Sequence, residues 1–490
     1  MKTAPGSTGS VLTGVFWSYA EQVSSQIVSL VVTIILARIL EPSDYGVIAI
    51  VTVFITLLNV FVENGLSVSL IQKQNLKEVD YSTVFYVNVL CAVALYLLLW
   101  FVTPLIAHFY DMPTLTLIIR ILGIRILISG VSSTFGAIII KTMDFRKLFL
   151  ASMLSITVSG SIGILLATSG FGIWSLVWQS LAYALVNASV LLVVTKWWPK
   201  RLFSLKAARA HFSYSWKISV TELITSLFVN LRSILIGKLY STSDLAFYNQ
   251  GQKVPDLIVS QAGASISRVL FPAIAQRSNN PAAIKLLMKR SIRMSAYILF
   301  PMLVGLFVLA EPLISVLLTN KWLESVPYMK IICIIYLFMP LNSANLQAIK
   351  AIGRSDVFLK IDILKKVSSI IILLASLQYG VLVIALSAIV DNVFTTALNA
   401  YPVGKLLQYG LYEQSRDVLP SLVISLVMGF LVWIIGLIIK MPLHLSLLIQ
   451  VAVGVCAYLL LSFLLKVGEY SILRDYISQA YLRFKIRRSK

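Results

Sequence analysis

The chain has 490 residues, of which 58% are hydrophobic and only 12% are charged, and its mean hydropathy is +0.89. Soluble domains are about a quarter charged, so this composition excludes a soluble protein and predicts an integral membrane protein. The net charge of +21 would indicate nucleic acid as a partner of a soluble chain. Basic residues confined to one side of a membrane explain the charge without such a partner.

Apolar runs long enough to cross a bilayer follow one another along the chain. A membrane helix needs roughly 20 mostly apolar residues, and by that measure we count about fourteen runs. The first follows MKTAPGSTGSVL, which lacks the short apolar core and cleavage site of a removable signal, so the first helix is expected to stay. The runs lie near residues 13–38, 45–65, 81–105, 114–140, 148–168, 171–195, 212–237, 246–271, 291–312, 326–348, 361–378, 380–402, 418–439 and 443–466.

Basic residues are concentrated in alternate connections between these runs. Cytoplasmic loops carry an excess of Lys and Arg, and the predicted number of spans is even, so both termini are expected in the cytoplasm. The basic connections contain Lys73 and Lys77; Lys141, Arg146 and Lys147; Lys196, Lys200, Arg201, Lys206 and Arg209; Arg277, Lys285, Lys289, Arg290 and Arg293; Lys350, Arg354 and Lys360; and Lys405 and Arg416.

The chain contains an internal repeat. Residues 37–44 match 237–244 at an offset of 200 residues, with Ser-Asp at the same place in both, and 65–72 match 263–270 at an offset of 198. Six predicted helices, an even number, separate the copies, so the two halves run parallel. Transporters are commonly built from such halves, with the substrate site between them.

The repeat predicts an all-α membrane fold of two six-helix lobes, related by a pseudo-two-fold axis along the membrane normal, followed by two further helices. The basic, aromatic segment 196–217 joins the lobes and has the length of an amphipathic helix on anionic headgroups; an ordinary solvated connector is the alternative. The predicted divisions are an N-lobe (1–195), an amphipathic cytoplasmic linker (196–211), a C-lobe (212–402), the two extra helices (403–466) and a basic cytoplasmic tail (467–490).

Ionisable residues inside apolar runs are the candidate functional residues, because a charge at membrane depth is costly and usually faces a protein interior or a watery cavity. Four cations suit a phosphate or diphosphate group: Arg120, Arg125, Arg232 and Lys253. Three acids are candidates for carrying a coupling ion: Glu21, Glu222 and Asp391. The alternatives are internal ion pairs, such as Lys253 with Asp256, and extension of Arg120 to the outer headgroups.

The sequence gives little support to an enzyme. His108, His211 and His444 lie in separate connections, without Cys, Asp or Glu at metal-ligand or catalytic-triad spacing. The three cysteines lie far apart, and no GxxxxGK[ST] nucleotide-binding motif is present. We therefore predict no catalytic residues, no metal and no cofactor.

Several stretches together resemble one protein family. The chain is similar to the Wzx-like polysaccharide flippases of the multidrug/oligosaccharidyl-lipid/polysaccharide exporter superfamily, over roughly residues 10 to 410. The resemblance lies in LARILEPSDYG (36–46), FVENGLSVSLIQK (61–73), KTMDFRKL (141–148), GFGIWSLVWQSL (170–181), WWPKRLFSL (197–205), LYSTSDLAFYNQGQKV (239–254) and VLFPAIAQ (269–276).

The resemblance implies two six-helix lobes around a central cavity whose cations hold a diphosphate. It also implies alternating-access transport of undecaprenyl-diphosphate-linked oligosaccharide, from the cytoplasmic to the periplasmic leaflet of a bacterial inner membrane, for lipopolysaccharide or exopolysaccharide synthesis. Expected partners are the lipid-linked oligosaccharide, membrane lipids, a proton or sodium ion, and polysaccharide polymerase and chain-length proteins. Arg38 and Asp44 match a family pattern that is typical of a helix-end turn.

Two other functions stay open at this point. A multidrug or cation antiporter of the same fold would need an acid-rich site for cations, whereas this chain places Arg and Lys at depth. A membrane-embedded glycan polymerase or ligase would carry a long external loop with paired basic residues, and the external connections here are short. The coupling ion is not determined, because the membrane potential could also act directly on a charged substrate.

Overall fold

The computed structural model describes residues 8–63, 65–276, 280–439, 441–471 and 474. Most of the basic tail predicted at 467–490 lies outside the described residues, as does Arg277. All regular structure in the described residues is helical. The helices are α1 Thr8–Ile39, α2 Pro42–Glu63, α3 Leu66–Gln72, α4 Glu78–Phe109, α5 Thr114–Thr142, α6 Phe145–Thr168, α7 Ile173–Thr195, α8 Leu205–Leu239, α9 Thr242–Ala275, α10 Pro281–Val308, α11 Ala310–Leu318, α12 Val326–Tyr336, α13 Met339–Ala351, α14 Ser355–Ser376, α15 Val381–Leu407, α16 Leu411–Ile438 and α17 Leu443–Leu464, with short 3₁₀ turns at Asn320–Ser325 and Leu377–Tyr379.

The predicted all-helical membrane fold is confirmed. Within the described residues, 11 helices are long and apolar enough to cross a membrane, or 12 if Asn320–Tyr336 and Met339–Ala351, which meet at a bend of 42°, form one broken span. Two further helices, α9 with 34 residues and α14 with 22, are long enough but more polar. If the broken pair counts as one span and α9 and α14 are added, the total equals the number predicted from the apolar runs. That number of spans stays a prediction.

The chain divides into two compact units, Met1–Ala246 and Phe247–Lys490. In the first unit α8 packs against α2, α3 and α4, which places it with the preceding helices. The second unit has an apolar core in which Met288 of α10, Ala348 of α13 and Val403 of α15 are fully buried. The lobe boundaries predicted around the basic linker differ from this division and stay a prediction.

The basic segment that follows α7 is attached to the start of α4. Two of its backbone N–H groups donate to hydroxyl groups there: Lys200 to Ser82 Oγ (3.1 Å) and Ser204 to Thr83 Oγ1 (3.1 Å). Residues 196–204 are not helical, so the structure does not form the surface helix predicted from residue 196 onward. The bonded backbone instead favours the alternative of a connector.

Helix α8 begins immediately after this segment. Ser204 caps it by accepting a hydrogen bond from the backbone N–H of Ala207 at 3.3 Å, as hydroxyl residues commonly do at helix starts. The helix has 35 residues and is therefore about 52 Å long, more than one bilayer core requires. The second part of the predicted linker is thus the first turns of a single long helix.

A buried polar cluster holds the start of α8 against α3 and α4. The ring nitrogens of His211 lie 2.7 Å from Ser69 Oγ and 3.3 Å from Asp80 Oδ1. Lys73 also donates to Asp80, at 2.8 Å. This is a Ser–His–Asp arrangement that sequence spacing did not reveal, but all three side chains are buried and Ser69 donates to the backbone oxygen of Leu66 at 2.5 Å. The arrangement therefore anchors three helices and presents no accessible nucleophile.

The repeated turns have the same structure. Helices α1 and α8 end at Ile39 and Leu239, and the next helices begin at Pro42 and Thr242, again 200 residues apart. In each turn an Asp carboxylate accepts from the backbone N–H three residues earlier: Asp44 from Glu41 at 3.4 Å and Asp244 from Ser241 at 3.1 Å. The shared sequence thus encodes a shared helix-end turn, as expected for Asp44.

The two copies of the turn touch each other in the first unit. A Cβ placed on Gly46 would lie 1.8 Å from the backbone oxygen of Thr242. Only glycine allows this approach, because the opposing atoms are backbone and cannot rotate away.

We expect Gly46→Ala to destabilise the protein by about 1–3 kcal/mol, the usual cost of overpacking. Gly136→Ala is the matched control: Gly136 lies inside α5 with nothing within 4 Å of its Cβ position, and alanine there favours the helix by up to about 1 kcal/mol. Thermal unfolding of both purified variants in one detergent measures the difference. Equal melting temperatures would contradict the proposed close contact.

Asp80→Asn is expected to cost about 1–3 kcal/mol, because it leaves buried donors without their carboxylate. Trypsin cleavage after Lys200 and Arg201 should also become faster, since the linker is bonded to the same end of α4. The control is Asp144→Asn, which removes only the partly exposed pair with Lys147 and should cost less than about 1 kcal/mol. Unchanged stability and proteolysis in Asp80→Asn would show that the cluster is not an anchor.

Candidate functional site

Arg125 lies near the middle of α5, among apolar residues. Leu122 and Ile126 on the same helix are fully buried and fix its rotation within the first unit. Arg125 is half-buried and donates from Nη1 to Ser180 Oγ of α7 at 2.7 Å. The packing of α5 on α7 therefore holds the guanidinium group at membrane depth through a single neutral hydrogen bond.

A carboxylate that the sequence analysis missed lies beside this arginine. Glu63 at the end of α2 accepts a hydrogen bond at 3.5 Å from Ser129 Oγ of α5, which lies one helical turn from Arg125 on the same face. The side chain of Glu63 is exposed. The sequence contained a signal that could have identified Glu63. The apolar run resumes at Leu66, and Pro42–Gln72 taken together has the length and composition of one span of 31 residues. Glu63 lies in the interior of that span.

Glu21 of α1 reaches the same group of residues. It accepts hydrogen bonds from Ser152 Oγ of α6 at 2.7 Å and from Ser25 Oγ at 3.5 Å. Tyr183 of α7 lies near the charges of Glu21, Glu63 and Arg125, three residues after Ser180, which accepts the hydrogen bond from Arg125. We call Glu21, Glu63, Arg125 and Tyr183 the Arg125 cluster; four helices contribute one residue each.

The Arg125 cluster has unused hydrogen-bond donors. A guanidinium group carries five N–H donors, and the hydrogen bond to Ser180 uses one of them. Among the described residues, Nε of Arg125 is buried without a hydrogen-bond partner. Guanidinium groups match the oxygens of phosphates and carboxylates in paired geometry, so the cluster can bind an anion that brings its own acceptors.

Arg120, on the same helix, points to a different neighbour. Its guanidinium group lies 4.2 Å from the ring centre of Trp100 on α4, and Nη2 donates to the backbone oxygen of Trp100 at 3.4 Å. Five residues of α-helix separate its direction from that of Arg125 by about 140°. The structure therefore does not bring Arg120 into the Arg125 cluster.

The remaining predicted residues have other surroundings. In the first unit, Arg232 of α8 is half-buried and Glu222 of the same helix is exposed. In the second unit, Lys253 of α9 is half-buried and Asp391 of α15 accepts from Ser369 Oγ at 2.9 Å. Of the seven predicted residues, Arg125 and Glu21 both lie near Tyr183, and they make no direct contact with each other in the described part of the chain.

Asp256, predicted as a partner of Lys253, accepts a hydrogen bond from Tyr336 of α12. That contact ties α9 to α12 within the second unit. No group of three or more His, Cys, Asp or Glu residues that could hold a metal ion occurs in the described part of the chain.

Comparison with known proteins identifies related chains. A family model described as "Polysaccharide biosynthesis protein" matches residues 35–327. The chain is 26% identical over 481 residues to the succinoglycan biosynthesis transport protein ExoT of Rhizobium meliloti (strain 1021), with 96% of each chain covered. It is 23% identical over 466 residues to the teichuronic acid biosynthesis protein TuaB of Bacillus subtilis (strain 168), covering 93% of this chain and 96% of that one.

The fold is shared with a solved structure. The lipid II flippase MurJ, in an inward closed conformation, aligns with 94% of this chain and 100% of its own, with a TM-score of 0.75 and 17% sequence identity. At this identity the likeness establishes the fold, which agrees with the two-lobed membrane architecture predicted from the repeat.

The electrostatics of the Arg125 cluster give a test of anion binding. Glu63→Gln removes a negative charge beside Arg125, so we expect the purified protein to bind pyrophosphate several-fold more tightly, whereas Arg125→Gln should abolish binding. The control is Glu311→Gln, because Glu311 is an exposed carboxylate without a partner among the described residues. Titration calorimetry measures the affinities, and equal affinity in Glu63→Gln and Glu311→Gln would contradict the cluster.

Proposed function

Because the chain belongs to the polysaccharide biosynthesis protein family, we propose that it is a flippase for lipid-linked oligosaccharide. The substrate is an oligosaccharide joined through a diphosphate to undecaprenol, and the product is the same molecule in the other leaflet. No covalent bond changes, so the protein needs no catalytic residue. The role is in the synthesis of lipopolysaccharide or exopolysaccharide.

The names of the relatives support this proposal. ExoT is a biosynthesis transport protein for succinoglycan, TuaB acts in teichuronic acid biosynthesis, and both match nearly the full length of this chain. MurJ, which has the same fold, is a flippase for lipid II. Different glycans and one membrane fold favour a transporter that recognises the shared carrier, with the glycan as the variable part.

The single observation that carries the proposal is Arg125, a guanidinium group at membrane depth with donors that the protein leaves unused. A diphosphate supplies acceptor oxygens and negative charge, which is what such a group requires in a medium of low dielectric constant. Arg232 and Lys253 are proposed as further cations on the path. Arg120 is a weaker candidate, because its guanidinium group already lies over Trp100.

The charge balance of the Arg125 cluster supports proton coupling. One arginine against two glutamates gives a formal charge of −1 when both acids are ionised, which repels a diphosphate. Anion binding and protonation of Glu21 or Glu63 then favour each other, since linkage is reciprocal. Glu222 and Asp391 stay candidates for the coupling ion, and a sodium ion is the alternative to the proton.

We propose alternating access as the mechanism, with the headgroup passing from the cytoplasmic to the periplasmic leaflet of a bacterial inner membrane. The basic connections support a topology with both termini in the cytoplasm. A polysaccharide polymerase and chain-length proteins are proposed partners, because they use the exported glycan.

One observation favours a second function. Glu21 and Glu63 give the Arg125 cluster two carboxylates, which is a feature that a cation antiporter would use. A gene deletion that sensitises cells to cationic drugs while glycan export continues would support that function and overturn the flippase.

The main test is complementation of a deletion strain. Deletion should leave lipid-linked glycan on the cytoplasmic face, where a membrane-impermeant oxidant added to spheroplasts cannot reach it. We expect Arg125→Ala to lower export at least about tenfold, because it removes a charge-assisted contact worth more than 1.4 kcal/mol. Arg125→Lys should be intermediate, since it keeps the charge and loses the planar fork.

Arg120→Ala is the matched control on the same helix and should export nearly as well as the unaltered protein. Full export by Arg125→Ala would remove Arg125 from the transport path but leave the flippase function standing. Normal export in the deletion strain would overturn the function itself.

A further inference from the structure

A charged crevice lies in the second unit, at the N-terminal ends of α10 and α16. Its volume is about 550 Å³. It belongs to neither the Arg125 cluster nor the other proposed transport residues. Its charged lining residues are Lys285, Lys289, Arg293, Glu413, Arg416 and Asp417.

Helical spacing brings these charges onto two facing stripes. Lys285, Lys289 and Arg293 follow one another at intervals of four residues on α10, and Glu413 and Asp417 have the same spacing on α16. Residues four apart lie on one face of a helix, and α10 packs directly against α16. The crevice is therefore built by two long helices whose relative position is fixed by packing below it.

After all ion pairs of the crevice residues are counted, one positive charge has no negative partner. Lys285 pairs with Glu413 at 2.9 Å and Lys289 with Asp417 at 3.0 Å. Arg293 lies 2.5 Å from Glu469, which is buried outside the lining. Arg416 is exposed and has no ion pair or hydrogen bond with any residue that the structure describes. Four cations against three carboxylates give a net charge of +1.

The crevice lies where the apolar part of each helix begins. After Arg293, α10 has no charged residue up to Val308, and after Asp417, α16 has none up to Ile438. The latter stretch spans about 30 Å, the thickness of a bilayer core. The charges are thus at the level of lipid headgroups.

We propose that the crevice binds the phosphate of an anionic membrane lipid such as phosphatidylglycerol. Basic pockets between membrane helices are suited to lipid phosphates, and one phosphodiester neutralises the single excess charge. A nucleotide carries several negative charges, which is more than the single excess positive charge of the crevice neutralises. By the predicted topology this lipid belongs to the cytoplasmic leaflet. It joins α10 to α16, the first of the two helices that follow the repeat.

The test compares two arginine variants of the full chain, purified in a neutral detergent. Arg416→Gln removes the cation that has no partner. Arg290→Gln is the matched control, because Arg290 is an exposed residue of α10 outside the crevice. Thermal unfolding is followed while phosphatidylglycerol, phosphatidylcholine or inorganic phosphate is added. We expect phosphatidylglycerol alone to stabilise the unaltered protein and Arg290→Gln, and its apparent affinity to fall about fivefold in Arg416→Gln.

Equal stabilisation by phosphatidylcholine would mean that the phosphate site has no preference for anionic lipid and would overturn the proposal. Stabilisation by inorganic phosphate to the same extent would replace the lipid with a soluble anion. An unchanged affinity in Arg416→Gln would place the lipid elsewhere on the protein.

Discussion

Water is excluded from the hydrocarbon core, so a charged side chain placed there depends on polar neighbours that the protein supplies. The Arg125 cluster meets this requirement with a serine, a tyrosine and two carboxylates brought from three helices, α1, α2 and α7. The supply is incomplete, since Nε of Arg125 has no partner within the described structure. A guanidinium group held in this way is stable enough to remain at depth, yet retains the capacity to bind an incoming anion.

The same constraint separates the two classes of polar cluster in the first unit. At the start of α8, His211 is buried and forms hydrogen bonds to the buried side chains of Asp80 and Ser69. These polar groups therefore hold the helices together. In the Arg125 cluster, Glu63 remains exposed and the arginine keeps free donors. The two clusters therefore differ in which polar groups are left without a partner among the described residues.

Sequence patterns predicted what depends on short-range order. Apolar runs located most of the helices, and the matching turns predicted helix ends that coincide at an offset of 200 residues. Burial cost selected seven candidate residues, among them Arg125 and Glu21, whose roles stay a prediction. Contacts between residues far apart in the chain could not be predicted from the sequence. Whether Arg120 or Arg125 faces the polar cluster depends on the rotation of α5, which is fixed by packing, and Ser69 meets His211 across 142 residues. Glu63 was missed because it lies at the very end of its predicted run, 45–65, beside the polar Asn-Gly pair that closes it.

The contact between Gly46 and the backbone of Thr242 has a consequence for how the duplicated gene halves diverge. Gly46 cannot acquire a side chain without displacing the backbone of Thr242, whereas Ala246, its counterpart at the offset of 200 residues, already has one. Substitutions at this point must therefore be tolerated by both repeats at once. We expect the two copies of this turn to stay similar in sequence while the surrounding helices diverge. The duplication should then remain detectable here after it can no longer be recognised elsewhere in the chain.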